Sequence, residues 1–124
     1  YYAMFHALAR SAANLLIGGA GSKRSTQAWQ QVYRALEHGL AKNACMSGTI
    51  SSFPGKIQNF ANMFVTMQEK RHIADYDPNG KARKSQVSTD IDLVEAAIED
   101  FESVSAKDRR AFAAFGMFRP PRKP

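Results

Sequence analysis

The chain has a single cysteine, Cys45, so it cannot close a disulfide within itself. That suits a reducing compartment and points to the cytoplasm. A lone thiol near a helix end reads first as a small buried hydrophobe, with a nucleophilic role as the lesser alternative. No apolar run approaches the ~18 residues that a membrane span needs, and no secretory-signal pattern is present, so no membrane partner is expected. Nothing alternates with the period of a strand, and there is no internal repeat. Acidic residues are the scarcer charge: 11 Asp and Glu against 17 Lys and Arg leave a net charge of +6. Such a balance favours polyanions kinetically without naming one. The remaining composition, 44% hydrophobic and 23% charged over 124 residues, is that of one ordinary globular domain. Tyr1 already stands inside a helical pattern, with no initiator Met and no cap before it, so further residues are expected upstream.

Helical periodicity is what the chain does have. Tyr1, Phe5, Leu8, Ala12 and Leu15 step by four and three until Gly18-Gly19-Ala20-Gly21 stops the pattern, as glycine does at low conformational cost. The loop Gly18–Lys23 lacks the spacing of a phosphate-binding loop and reads as an interhelix turn. Ser25 is a candidate cap for a second helix running to Cys45, with Trp29, Val32, Tyr33, Leu36 and Leu40 inward. Trp29 reads as a core anchor and His38, off that stripe, as a solvated residue. Pro54 opens a third helix carrying Ile57, Phe60, Phe64 and Met67. That helix must end near Asp77, because the residue before Pro78 is pushed out of helical geometry.

Asp77-Pro78-Asn79-Gly80 is a turn signal, and Lys81, Arg83 and Lys84 continue it as a basic, mobile connection. A fourth helix then shows Val87, Ile91, Val94, Ile98 and Phe101 in a packing seam. Its other face is acidic: Asp90, Asp92, Glu95, Glu99, Asp100 and Glu102. No histidine joins them, so they read as a solvated face; no metal and no cofactor are expected. Ser105 with Asp108 resembles a capping box for a short last helix holding Phe112 and Phe115. The expected fold class is therefore all-α: an antiparallel four-helix bundle, near 1–17, 25–45, 54–76 and 87–104, with a short fifth C-terminal helix. Residues 1–104 form the bundle, 105–118 the short helix, and 119–124 a disordered basic tail that adds non-specific polyanion affinity.

One residue breaks the third helix's apolar stripe. The positions after Met67 are Arg71 and Ala74, and Asp75 lies one turn beyond Arg71, within reach of its guanidinium. A charge on a core-facing stripe needs a partner or an aqueous site, since burying it alone costs several kcal/mol. Two readings stand: a shielded structural Arg71–Asp75 pair, and an arginine presented to a functional cleft.

The segment Arg71-His72-Ile73-Ala74-Asp75-Tyr76-Asp77-Pro78, together with Tyr1-Tyr2-Ala3-Met4-Phe5-His6-Ala7, resembles the HEPN superfamily (higher eukaryotes and prokaryotes nucleotide-binding). The closer resemblance is to its prokaryotic branch with a Tyr-Tyr-Ala-Met-Phe-His helix and a later Arg-x-x-Ala-Asp-Tyr segment. It covers residues 1 to about 104. The resemblance implies a helical domain that binds RNA or a nucleotide, acts as a homodimer with its motif near the interface, and often works beside a nucleotidyltransferase partner. Catalytic members are metal-independent endoribonucleases of toxin or defence type, in which an arginine is followed after four to six residues by histidine. In them the imidazole moves the proton of the RNA 2′-hydroxyl and the guanidinium steadies the phosphate, roles that suit a group titrating near neutrality and a planar fork of donors.

Arg71 matches that arginine, but Tyr76 stands where histidine is expected. Tyrosine, with a pKa near 10, is a poor base at neutral pH. His72 is adjacent to Arg71, and a helical step turns it about 100° away. His6 is the remaining candidate, on the first helix one position off the Phe5 stripe. The catalytic candidates are thus Arg71, Tyr76, His72 and His6, and the binding candidates Arg71, Asp75, Tyr76 and Tyr2. A non-catalytic or weakly catalytic RNA- or nucleotide-binding domain is the leading expectation. An endoribonuclease, and a helical dimerisation module without a nucleic-acid role, are the alternatives.

Overall fold

The computed structural model describes residues 1–76 and 84–119, with side chains described at 1–73 and 88–119. Among these residues every regular element is helical: α1 (Tyr2–Leu16), α2 (Thr26–Ala35), α3 (His38–Met46), α4 (Gly55–Tyr76), α5 (Lys84–Glu102) and α6 (Ala106–Met117), with a short 3-10 turn at Gly48–Ser52 between α3 and α4. The fold class is all-α. Of the expected basic connection at 81–84, Lys84 is instead the first residue of α5, while residues 81–83 of it and 120–124 of the expected tail 119–124 lie outside the described residues.

α1 is the hub, packing against α2, α5 and α6. Met4, Ala7, Leu8, Ala9, Ala12 and Ala13 are all buried along it. Burial therefore extends around more of the helix than the expected Tyr1–Phe5–Leu8–Ala12–Leu15 stripe; the alanines let neighbouring helices approach on several sides, while Tyr1, Phe5 and Leu15 are only half-buried. Gly18, in the left-handed region at φ +140°, follows the helix end. Arg24 then ties the turn back: its Nη1 donates to the Gly18 carbonyl at 3.0 Å and to Asn14 Oδ1 at 3.1 Å.

The expected second helix is two. The chain runs extended through Leu36 and Glu37 (ψ 122° and 135°) between α2 and α3. Gly39 weakens any continuous helix here by about 1 kcal/mol, and the break turns α3 so that Ala41 and Cys45, which lie off the expected stripe, join Leu36 in the core. Ser25 Oγ accepts from the Ala28 amide at α2's start, and Ser105 Oγ from the Asp108 amide at α6's.

α4 follows its pattern: Ile57, Phe60, Phe64 and Met67 are buried. Phe60 stacks on Phe101 of α5 at 4.4 Å and meets Phe112 of α6 edge-on at 6.2 Å. α5 begins at Lys84, before the expected start near Val87; lysine and glutamine have good intrinsic helix propensity. Its seam also differs. Val94, Ala97 and Phe101 are buried, but Ile91 is 53% exposed. Among the residues whose side chains are described, the buried ones of α5 lie from Val94 onward, and Asp90 ties the helix to α4 through Lys70 Nζ–Asp90 Oδ1 at 3.0 Å. The last helix is no appendage: α6 packs on α1 and α3 and supplies Phe112, Ala113 and Met117 to the common core.

Candidate functional site: a ring-lined arginine

The elements converge on one end of the molecule, where α1 begins, α3 begins and α4 carries Arg71. The α4 stripe that buries Phe60 and Phe64 brings Arg71 to this end half-buried. Its guanidinium carbon lies 4.5 Å from the centroid of Tyr2 and 5.9 Å from that of Tyr1. Such contacts are worth about 0.5–1 kcal/mol where solvent reaches and more where it does not. Tyr1 in turn meets Phe64 edge-on at 5.2 Å, so the platform under the arginine is fastened to the core.

Beside it lie two imidazoles. The extended Leu36–Glu37 segment delivers His38 onto Phe5, stacked at 3.9 Å with 11° between the planes, and the His38 Nδ1 pairs with the Tyr1 hydroxyl at 2.5 Å. His6 meets the edge of the same Phe5 at 5.9 Å and pairs through Nδ1 with the Tyr33 hydroxyl at 2.7 Å. A second cationic stack flanks the group: Trp29 lies on Tyr33 at 5.2 Å and Arg24 over Trp29 at 4.6 Å.

Electrostatics follow from this packing. Although His38 is exposed as a residue, Phe5 covers one face of its ring. That desolvation, then the charge of Arg71, then His6, hold its pKa below the usual value. Burial pushes the Tyr1 phenol up to about 12 against the opposing pull of Arg71, so the hydroxyl is protonated at any physiological pH. Cys45 is buried and its thiol pushed up to about 12 by desolvation; it is a core residue at neutral pH, with no thiolate to act as nucleophile. Among the described residues no cluster of side chains has the make-up of a metal site, and no helix is long and apolar enough to cross a membrane.

Of the residues singled out from the sequence, Arg71, Tyr2 and His6 are brought to this end together. His72 is exposed on α4 next to Arg71. Asp75 and Tyr76 fall in the last turn of α4, but their side chains lie outside the described residues, and the expected Arg71–Asp75 pair with them. Sequence reasoning missed His38, which is no simple solvated residue, with Tyr1 and Phe5 as its company, and Tyr33 as the partner of His6. Its one signal was the neighbouring Gly39, a weak point in an otherwise regular pattern. Comparison with protein-family models, curated proteins and solved structures returns no match.

Proposed function

We propose that this chain is an RNA- or nucleotide-binding helical domain of the kind its two motifs resemble, with Arg71 as the phosphate anchor. The observation that supports this reading is the guanidinium resting on Tyr2 at 4.5 Å beside two imidazoles. A guanidinium fork takes phosphate oxygens bidentately, and the rings that orient it reduce the conformational entropy lost on binding. The antiparallel four-helix core, a homodimer and a nucleotidyltransferase partner belong to the same proposal, as does a cytoplasmic setting.

The test is RNA affinity and melting temperature measured together. Arg71→Lys keeps the charge and loses the fork, and is expected to weaken RNA binding about tenfold with little change in melting. RNA binding that survives Arg71→Lys unchanged would remove Arg71 as the anchor. Absence of RNA binding even at low salt would end the reading and leave the helical dimerisation module.

A second reading has its own observation. His38, its protonation disfavoured by Phe5 and by the charge of Arg71, and His6, one helical turn along α1 from Tyr2, support the reading of a metal-independent endoribonuclease. In the tautomer with Nδ1–H donated to the Tyr1 hydroxyl, Nε2 of His38 carries the lone pair of a general base. It would take the proton of an RNA 2′-hydroxyl as that oxygen attacks phosphorus. The 5′-oxygen would leave with a proton donated by His6, giving a 2′,3′-cyclic phosphate and a 5′-hydroxyl. Metal-independent cleavage yielding those ends, lost in His38→Ala, is the expected result. An enzyme preparation that never cleaves single-stranded RNA would dismiss it.

A further inference from the structure

The charges of this chain are segregated along the fold. Within residues 1–68 the only carboxylate is Glu37, against Arg10, Lys23, Arg24, Arg34, Lys42 and Lys56. The carboxylates instead crowd α5, where Asp92, Glu95, Glu99, Asp100 and Glu102 are exposed. A polyanion is therefore favoured by α1–α3 over α5, with Asp90 of α5, tied to Lys70, the α5 carboxylate that reaches the Tyr1 end of α1.

On that cationic side α1 presents a continuous solvent-facing stripe. Tyr2, His6 and Arg10 are each exposed, and their spacing of four places them one above the next on one helix face. At about 1.5 Å per residue the stripe is about 12 Å long. Arg71 closes it at one end, above Tyr2, and Arg10 at the other. Between the two cations lie the Tyr2 ring and the His6 ring, the latter backed by Tyr33 at 6.0 Å with 16° between the planes. Phenol and imidazole faces between two guanidinium groups suit an unpaired strand. Its bases stack on the rings while its phosphates meet the cations. A duplex keeps its bases stacked on one another and offers only its backbone, so it gains nothing from the rings.

We infer that the exposed Tyr2–His6–Arg10 stripe of α1 is a binding track for single-stranded RNA, running from Arg71 to Arg10. The inference rests on the RNA-binding reading of Arg71 and adds to it the strand class, the direction of the footprint and two contacts outside the motif arginine.

The probe is a fluorescent single-stranded oligouridylate of ~8 nucleotides, within the usual site size for such modules, beside a duplex of matched length. The full chain and its variants are titrated with each at several salt concentrations. Tyr2→Ala is expected to weaken single-strand binding about tenfold, and Tyr2→Phe, which keeps the ring, to restore it. Arg10→Gln is expected to weaken binding and to lower the salt slope by about one. Lys56→Gln removes the same charge from the first turn of α4, far along that helix from Arg71, and is expected to change single-strand affinity less than Arg10→Gln. All these positions are exposed, and circular dichroism melts of each variant check that they fold. Equal affinity for duplex and single strand overturns the track, as does Arg71-dependent binding that ignores Tyr2→Ala and Arg10→Gln; in both cases the phosphate anchor itself survives. No binding of either probe overturns the track and the RNA-binding reading together.

Discussion

His38 stacks on Phe5 with ring centroids 3.9 Å apart and planes within 11°. The contact joins the start of α3 to the start of α1, and it desolvates the imidazole beside the positive charge of Arg71. Protonating His38 in the folded state is therefore harder than in the unfolded chain, where its pKa is near the usual 6.5.

A pH dependence of stability follows. Because the folded pKa is lowered, the unfolded chain binds more protons between the folded value and 6.5, and stability rises with pH through that window. The melting temperature is expected to fall as pH drops from neutrality through 6.5 and below, and this component is expected to flatten in His38→Gln. A His38→Gln melt that keeps the full acid-side slope would place the proton uptake elsewhere.

The packing of Phe101 makes a sharper demand. It is fully buried, stacked on Phe60 at 4.4 Å and edge-on to Phe112 at 5.9 Å, so one ring ties α4, α5 and α6 together. Phe101→Ala is expected to cost about 3–5 kcal/mol through lost transfer energy and the cavity left behind. Urea unfolding measures it. A cost below about 1 kcal/mol would mean that α6 does not rely on this junction.

Ser11 offers the opposite sign. Its Oγ is buried with no hydrogen-bond partner among the described residues, on a helix otherwise rich in buried alanine. Ser11→Ala removes an unsatisfied hydroxyl and raises helix propensity, and is expected to stabilise by about 1 kcal/mol. Destabilisation on the same scale would show that the hydroxyl has a partner, such as water, in solution.

Gly18 is constrained by its backbone. At φ +140° a Cβ would lie 2.6 Å from Ser22 Oγ and 3.3 Å from Arg24 Cβ. Gly18→Ala is expected to cost about 1–3 kcal/mol. It should also loosen Arg24 from Trp29, which the emission of the chain's one tryptophan would report. An unchanged melt and emission would show that the turn yields without strain.

The sequence by itself determined the elements whose burial is written as a period. Ile57, Phe60, Phe64 and Met67 repeat at three and four, so α4 and its inward face were legible, and the same register placed Arg71 at the edge of the core. The caps at Ser25 and Ser105 were legible for the same local reason: a short polar side chain satisfies amides that lie within its own turn. The tertiary structure alone decided the break at Leu36–Glu37. There local propensity is nearly indifferent, and what tips the balance is the burial of Leu36, Ala41 and Cys45 against other helices. That break carries His38 to Phe5, so the imidazole's surroundings could not be read from its neighbours in the chain. It also decided that Ile91, on a good apolar period, stays in solvent while α6 lies in the core. Periodicity gives the direction a side chain takes from its helix, but only the packed arrangement supplies something for it to meet.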